Sequence, residues 1–239
     1  MAWNPFAKRP AAPPRPGVAG GRPDFREIRE LMFGDVPLAA WKPRDGQPPV
    51  GSWTAFEQAR MHLAAGDKEA AVDSLLKVAN GAAEESRQRL QAWTALRSLG
   101  ESPPPEAAKQ VLGVVLDMHL PEGLDTVAAY ADGTARYINH GGKLVVWEGG
   151  NAMGMQAPID ALVAAGQKVA NAIGPWEEAR PAAPPKGKAR LSMLTPSGLH
   201  FGQAGINDLY RERLAAPAMK AGETLLLALI RAAESKERA

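Results

Sequence analysis

The sequence predicts an α+β protein, a helical N-terminal subdomain followed by a mainly antiparallel sheet of about six strands (four-strand meander, helix, hairpin, helix) covered by helices. Three observations predict it. Over 111–120, Leu112, Val114, Leu116, Met118 and Leu120 alternate with other residues, the period of a strand. Over 159–173, Ile159, Leu162, Val163, Gly166, Val169, Ala170 and Ile173 follow the helical period of about 3.6. Between the helical first half and this second half stands Pro103-Pro104-Pro105, which interrupts any ladder and pushes preceding residues into extended geometry. The expected organisation is a disordered tail over 1–23, a helical subdomain over 24–100, a Pro-rich linker over 101–110 and an antiparallel α+β domain over 111–239.

Residues 1–23 are dominated by Pro, Ala, Gly and Arg and contain no acid, a composition that buries too little surface to offset the entropy of ordering. Trp3 and Phe6 are its candidate anchors. Residues 24–31 read as a short helix capped by Asp24, with Phe25, Ile28 and Leu31 on one side. Pro37, Pro43, Pro48 and Pro49 then hold off regular structure until Ser52, the expected cap of a helix marked by Trp53, Phe56, Met61 and Leu63. Gly66-Asp67 turns the chain into a second helix carrying Ala70, Ala71, Leu75 and Val78. A third, over 84–99, places Leu90, Trp93 and Leu96 on its apolar side.

The run ARMHLAAGDKEAA at 59–71, with its small residue, leucine, Gly-Asp turn and following alanine, resembles the helix pair of a tetratricopeptide repeat. The resemblance spans 53–99 and implies an interaction module. Repeats of this class need about three units to stand alone, so a single pair is expected to lean on the rest of the chain.

In the second half, Asp132-Gly133 is a two-residue hairpin signal. Pairing Ala131 with Thr134 would set Tyr130 and Tyr137 on one face. His140-Gly141-Gly142-Lys143 turns the chain into a fourth strand over 144–148. Pro158 sits in the first turn of the next helix, and Gly174-Pro175 stops it. Strands over 190–195 and 199–203 flank Pro196-Ser197-Gly198, and a last helix over 217–235 carries Leu225, Leu226, Leu229 and Ile230. This order resembles the profilin-like and longin-like layouts that serve as binding platforms. Residues 129–148 (AYADGTARYINHGGKLVVWE) resemble a segment of hypothetical bacterial proteins with no assigned role, which implies a bacterial origin and no activity.

Composition narrows the chemistry. The chain has no cysteine, which removes disulfides, thiolate metal sites and cysteine nucleophiles and fits a reducing, cytoplasmic location. Against 28 Lys+Arg stand 26 Asp+Glu, so the broad positive field of a nucleic-acid binder is missing. Arg136 near Tyr130 and Tyr137, with the basic stretch 180–190, is the one arrangement that could stack bases. No run is long enough to span a bilayer. The loop Gly149-Gly150-Asn151-Ala152-Met153-Gly154 lies where a phosphate cradle would, yet Met155 and Gln156 stand where a P-loop needs lysine and a hydroxyl. Asp117, His119, His140 and His200 are metal-competent types without ligand spacing, so no metal or other cofactor is assigned. Ser197 near His200 lacks the first glycine of a nucleophile elbow and reads as a hairpin loop.

No catalytic residue is assigned. The expected function is a non-enzymatic protein–protein interaction, regulatory or scaffold role, with another protein as partner and Trp53, Phe56, Trp93 and Trp147 as the candidate surface. The alternative is an enzyme or small-ligand receptor using the 149–156 loop and the polar strand face.

Overall fold

Local chemistry sets the helix boundaries of the first half. The computed structural model describes residues 25–43, 49–150 and 154–237, so the tail, the Asp24 cap and the middle of the glycine-rich loop lie outside the described residues. Helices α1 (Phe25–Glu30), α2 (Ser52–Ala64), α3 (Lys68–Ala79) and α4 (Ser86–Ser98) come first. Gly51, at φ 56°, precedes α2, which makes Ser52 its first helical residue rather than its cap. Asp67 caps α3 by accepting the Ala70 N–H at 3.0 Å. Phe56, Ala59, Ala71, Leu75, Val78, Trp93 and Leu96 form one core with Trp41. Met61, expected on the apolar side, is 64% exposed. Ala59 faces inward instead, a small side chain that fits where α2 packs closely on its neighbours.

Within the expected linker the chain makes a one-turn helix, α5 (Pro105–Ala108), because proline at the first helical position lacks only an N–H that would have no partner there. The sheet follows as β1 (Gly113–His119), β2 (Leu124–Tyr130), β3 (Ala135–Ile138) and β4 (Leu144–Trp147). Helix α6 (Gln156–Ala172) then returns the chain to β5 (Lys188–Thr195) and β6 (Gly198–Gly205). A short α7 (Ile206–Arg211), which the periodicity does not announce, leads into α8 (Ala216–Glu237). The six strands lie in the order β4-β3-β2-β1-β5-β6, all neighbours antiparallel.

The β2–β3 hairpin corrects one expectation. Tyr130 N donates to Thr134 O and Gly133 N to Tyr130 O, both at 3.0 Å, so three residues form the loop. Asp132 Oδ1 accepts from the Thr134 N–H and hydroxyl, and Gly133 at φ 82° absorbs the reversal. The register therefore pairs Val127 with Tyr137, one position away from the two-residue reading. A slip of one residue exchanges faces. Tyr130 and Tyr137 accordingly lie on opposite sides of the sheet.

On one face, hereafter the first, Val114, Leu116, Val127, Ala129, Tyr137, Leu191 and Met193 pack with Ile159, Leu162 and Val169 of α6 and Leu225 and Leu229 of α8. A Cβ at Gly166 would lie 2.5 Å from Val114 Cγ2, so glycine is what lets α6 approach this closely. On the second face, Val115, Ala128, Tyr130, Ile138 and Leu194 pack with Met32, Phe33 and Leu90. The helical half and the sheet thus share a core.

Candidate functional site

The polar strand face singled out in the sequence is the second face, and it is occupied from within. Thr126, Asp117, Arg190 and Gln203 are successive cross-strand partners over β2, β1, β5 and β6, which makes a polar row across the sheet. Arg29 of α1 closes over it, with Nε 2.9 Å and Nη2 2.5 Å from the two Asp117 carboxylate oxygens. Thr126 adds a hydroxyl donor to Asp117 at 2.6 Å. Burial alone would lower the Arg29 pKa, and the Asp117 carboxylate, with a smaller contribution from Glu30, more than reverses this, raising it above its ordinary value. Arg180 then ties the segment before β5 to the first elements of the chain, donating to Asp35 and Glu30 at 2.5 Å each. Its guanidinium lies 3.8 Å from the Phe33 ring centroid.

Arg190 meets no carboxylate directly among the described residues. It donates to Gln203 Oε1 at 3.0 and 2.6 Å and to Pro181 O at 2.8 Å. Burial pulls its pKa down to about 10, still far enough above neutrality to keep it charged. The role of α1 was misread from the sequence. Phe25 and Leu31, expected on its buried side, are 45% and 40% exposed, while Arg29 is buried.

The expected aromatic surface is corrected as well. Phe56, Trp93 and Trp147 are buried. Trp53 is half-buried and stacks on Trp41 at 5.2 Å. Large aromatic rings lose most water contact by entering a core, and here α2, α4 and the first face provide one. The Arg136, Tyr130 and Tyr137 arrangement forms no stacking platform: the tyrosines face opposite ways, and the Arg136 guanidinium donates to Trp147 O at 2.8 Å and to Glu148.

The metal-competent residues are held apart by separate partners. Asp117 serves Arg29, and His119 Nδ1 donates to Pro184 O at 2.8 Å. His140 Nδ1 and its backbone N–H both meet Asp125 Oδ1, whose other oxygen accepts from the Tyr137 hydroxyl. His200 Nδ1 donates to Ile173 O at 3.3 Å, which leaves Nε2 to accept from the Ser197 hydroxyl at 3.2 Å. His200 is fully buried, and burial lowers its pKa, so the pair braces the hairpin against the end of α6. Among the described residues no group of three His, Asp or Glu side chains is placed to hold a metal ion.

What the sequence reading missed is the edge of the sheet. Asn139 N donates to Lys143 O, so by the antiparallel alternation Val145 and Trp147 turn their backbone groups to β3 while Leu144 and Val146 turn theirs outward. No backbone hydrogen bond reaches those outward groups from the described residues. The Leu144 and Val146 side chains, on the second face, are 36% and 37% exposed. Phe25 lies over Gly142, two residues before Leu144, where a Cβ would fall 1.9 Å from the ring. On the opposite edge, Trp176 N donates to Leu199 O at 2.6 Å, and the Trp176 ring meets Phe201 edge-on. The alternation of Leu144 and Val146 was legible in the sequence, but their position on an outer strand was not.

Comparisons with protein-family models, with curated proteins and with solved structures give no match for this chain.

Proposed function

We propose that this is a non-enzymatic interaction protein of bacterial, cytoplasmic type, which recognises an extended segment of another protein at the β4 edge. The observation that carries the reading is the pairing of outward backbone groups with exposed apolar side chains at Leu144 and Val146, extended by Phe25. Strand addition to a sheet edge draws affinity from main-chain hydrogen bonds and specificity from alternate side chains. Four residues of strand give few such bonds, so the interaction is modest in affinity and suited to regulation. The absence of cysteine and of any membrane-spanning helix among the described residues supports the location. The likeness of 53–99 to a tetratricopeptide pair supports an interaction role, although the large exposed apolar side chain in that span is Met61 and the docking surface is therefore assigned to the edge.

A random-peptide display selection on the full chain tests this. The expected binders alternate apolar and polar residues, slow hydrogen exchange at the Leu144 and Val146 amides, and lose binding to a Leu144→Arg/Val146→Arg variant that folds normally. Peptides that leave those two amides unprotected would sink the reading.

A further inference from the structure

A second feature, independent of the β4 edge, lies at the seam between α4 and the β5–β6 hairpin. A cavity of about 30 Å³, partly open to solvent, is lined by Thr94 and Arg97 of α4, by Leu194 and Thr195 of β5 and by Gly198 and Leu199 of β6. By this measure one water needs roughly 10–15 Å³, so the space admits a headgroup of a few heavy atoms. Its polar wall is cationic. Arg97 donates to Pro196 O at 2.5 Å and to Thr94 Oγ1 at 3.1 Å. Of the five N–H groups a guanidinium carries, these two bonds leave three without a partner among the described residues.

Among the described residues no carboxylate answers this charge by contact. Asp35 also lines the cavity, but both its oxygens accept from Arg180, at 2.5 and 3.2 Å. Arg97 is half-buried, and the desolvation that lowers its pKa is only partly offset by the charge of Asp35. Arg29 and Arg180 are bound to carboxylates, and Arg190, which meets none among the described residues, spends three N–H groups on Gln203 and Pro181, whereas Arg97 spends two.

We propose that this cavity binds the headgroup of a small monocarboxylate on the Arg97 guanidinium, the short apolar stem leading out through the open side past the leucine wall. A planar carboxylate matches the guanidinium fork, whereas a spherical halide does not. Gly198, at φ 123°, fits the same picture: a Cβ there would point at Arg97 Nε from 3.9 Å and narrow the space beside the charge.

The test is an amide NMR titration of the full chain with sodium butyrate, run beside butyramide and sodium chloride at matched concentration. Butyrate is expected to give saturating shifts centred on Thr94, Arg97, Gly198 and Leu199, while the neutral amide and chloride do not. Arg97→Gln is expected to weaken binding about tenfold or more, the loss of a charge-assisted hydrogen bond. Should that variant fail to fold, Arg97→Lys carries the test, because it keeps the charge and loses the fork. Absence of butyrate shifts, equal shifts with chloride or butyramide, or wild-type affinity in the folded variant would overturn the site.

Discussion

The two faces of the sheet are both buried, by opposite means. The first face is largely aliphatic, with Tyr137 and Trp147 among its apolar side chains, and meets two amphipathic helices whose period alone directs them inward. The second is covered by helices of the N-terminal half and buries the pair Arg29 and Asp117, joined across 88 residues of sequence, while Arg180 reaches the exposed Glu30 across 150. Hydrophobic burial is non-directional, so many aliphatic residues can substitute for one another on the first face. An ion pair in a dry interior tolerates no such exchange, because removing one member leaves a charge without an answer. The first face therefore supplies general stability, and the second fixes which segment docks where.

The sharpest way to break this contrast is Asp117→Ala, which strands Arg29 and Thr126 beneath α1. The expected cost is about 3–5 kcal/mol in urea unfolding. The double variant Arg29→Met/Asp117→Leu should recover most of it, since well-packed apolar residues replace buried ion pairs at little or no cost. A single variant no weaker than a surface substitution would show that the pair is ornamental.

A smaller effect is expected on the first face. Gly166→Ala places a methyl 2.5 Å from Val114 Cγ2, on a stiff β-branched side chain, and should cost roughly 1–3 kcal/mol. Gly222→Ala in α8 meets Leu116 Cδ2 at 2.6 Å, the far end of a flexible side chain, and should cost less. Equal costs in thermal melts would mean that α6 and α8 yield equally, against the tighter seating assigned to α6.

The smallest effect concerns His200, where first-face packing meets a titratable group. Burial holds its folded-state pKa below the ordinary value of about 6.5. As pH falls through that value the unfolded chain takes up the proton first, so the stability present above about pH 6.5 declines toward pH 5, with a slope of at most about 1.4 kcal/mol per pH unit. His200→Gln should flatten this part of the profile. An unchanged slope would assign the pH dependence elsewhere.

Much of this architecture was legible before folding was considered. The alternation of 111–120, the helical period of 159–173 and the turns at Gly66-Asp67 and Gly133 rest on interactions spanning a few residues, where sequence order and spatial order coincide. The errors have a common source. Tyr130 and Tyr137 were put on one face because a three-residue loop differs from a two-residue loop only in its hydrogen bonds. Met61 was assigned inward and Arg29 left unremarked because periodicity counts apolar residues and cannot see a buried cation's distant partner. The aromatic residues were offered as surface because composition does not say which helices will cover them.

The sequence by itself determined the α+β class, the strand and helix order and most element boundaries, since each follows from side-chain period, capping and turn chemistry within a local window. Tertiary structure alone decided which strands form the edges of the sheet, which cations meet a carboxylate and which face holds the charges. Those outcomes depend on residues brought together from far along the chain, and no short-range pattern encodes their meeting.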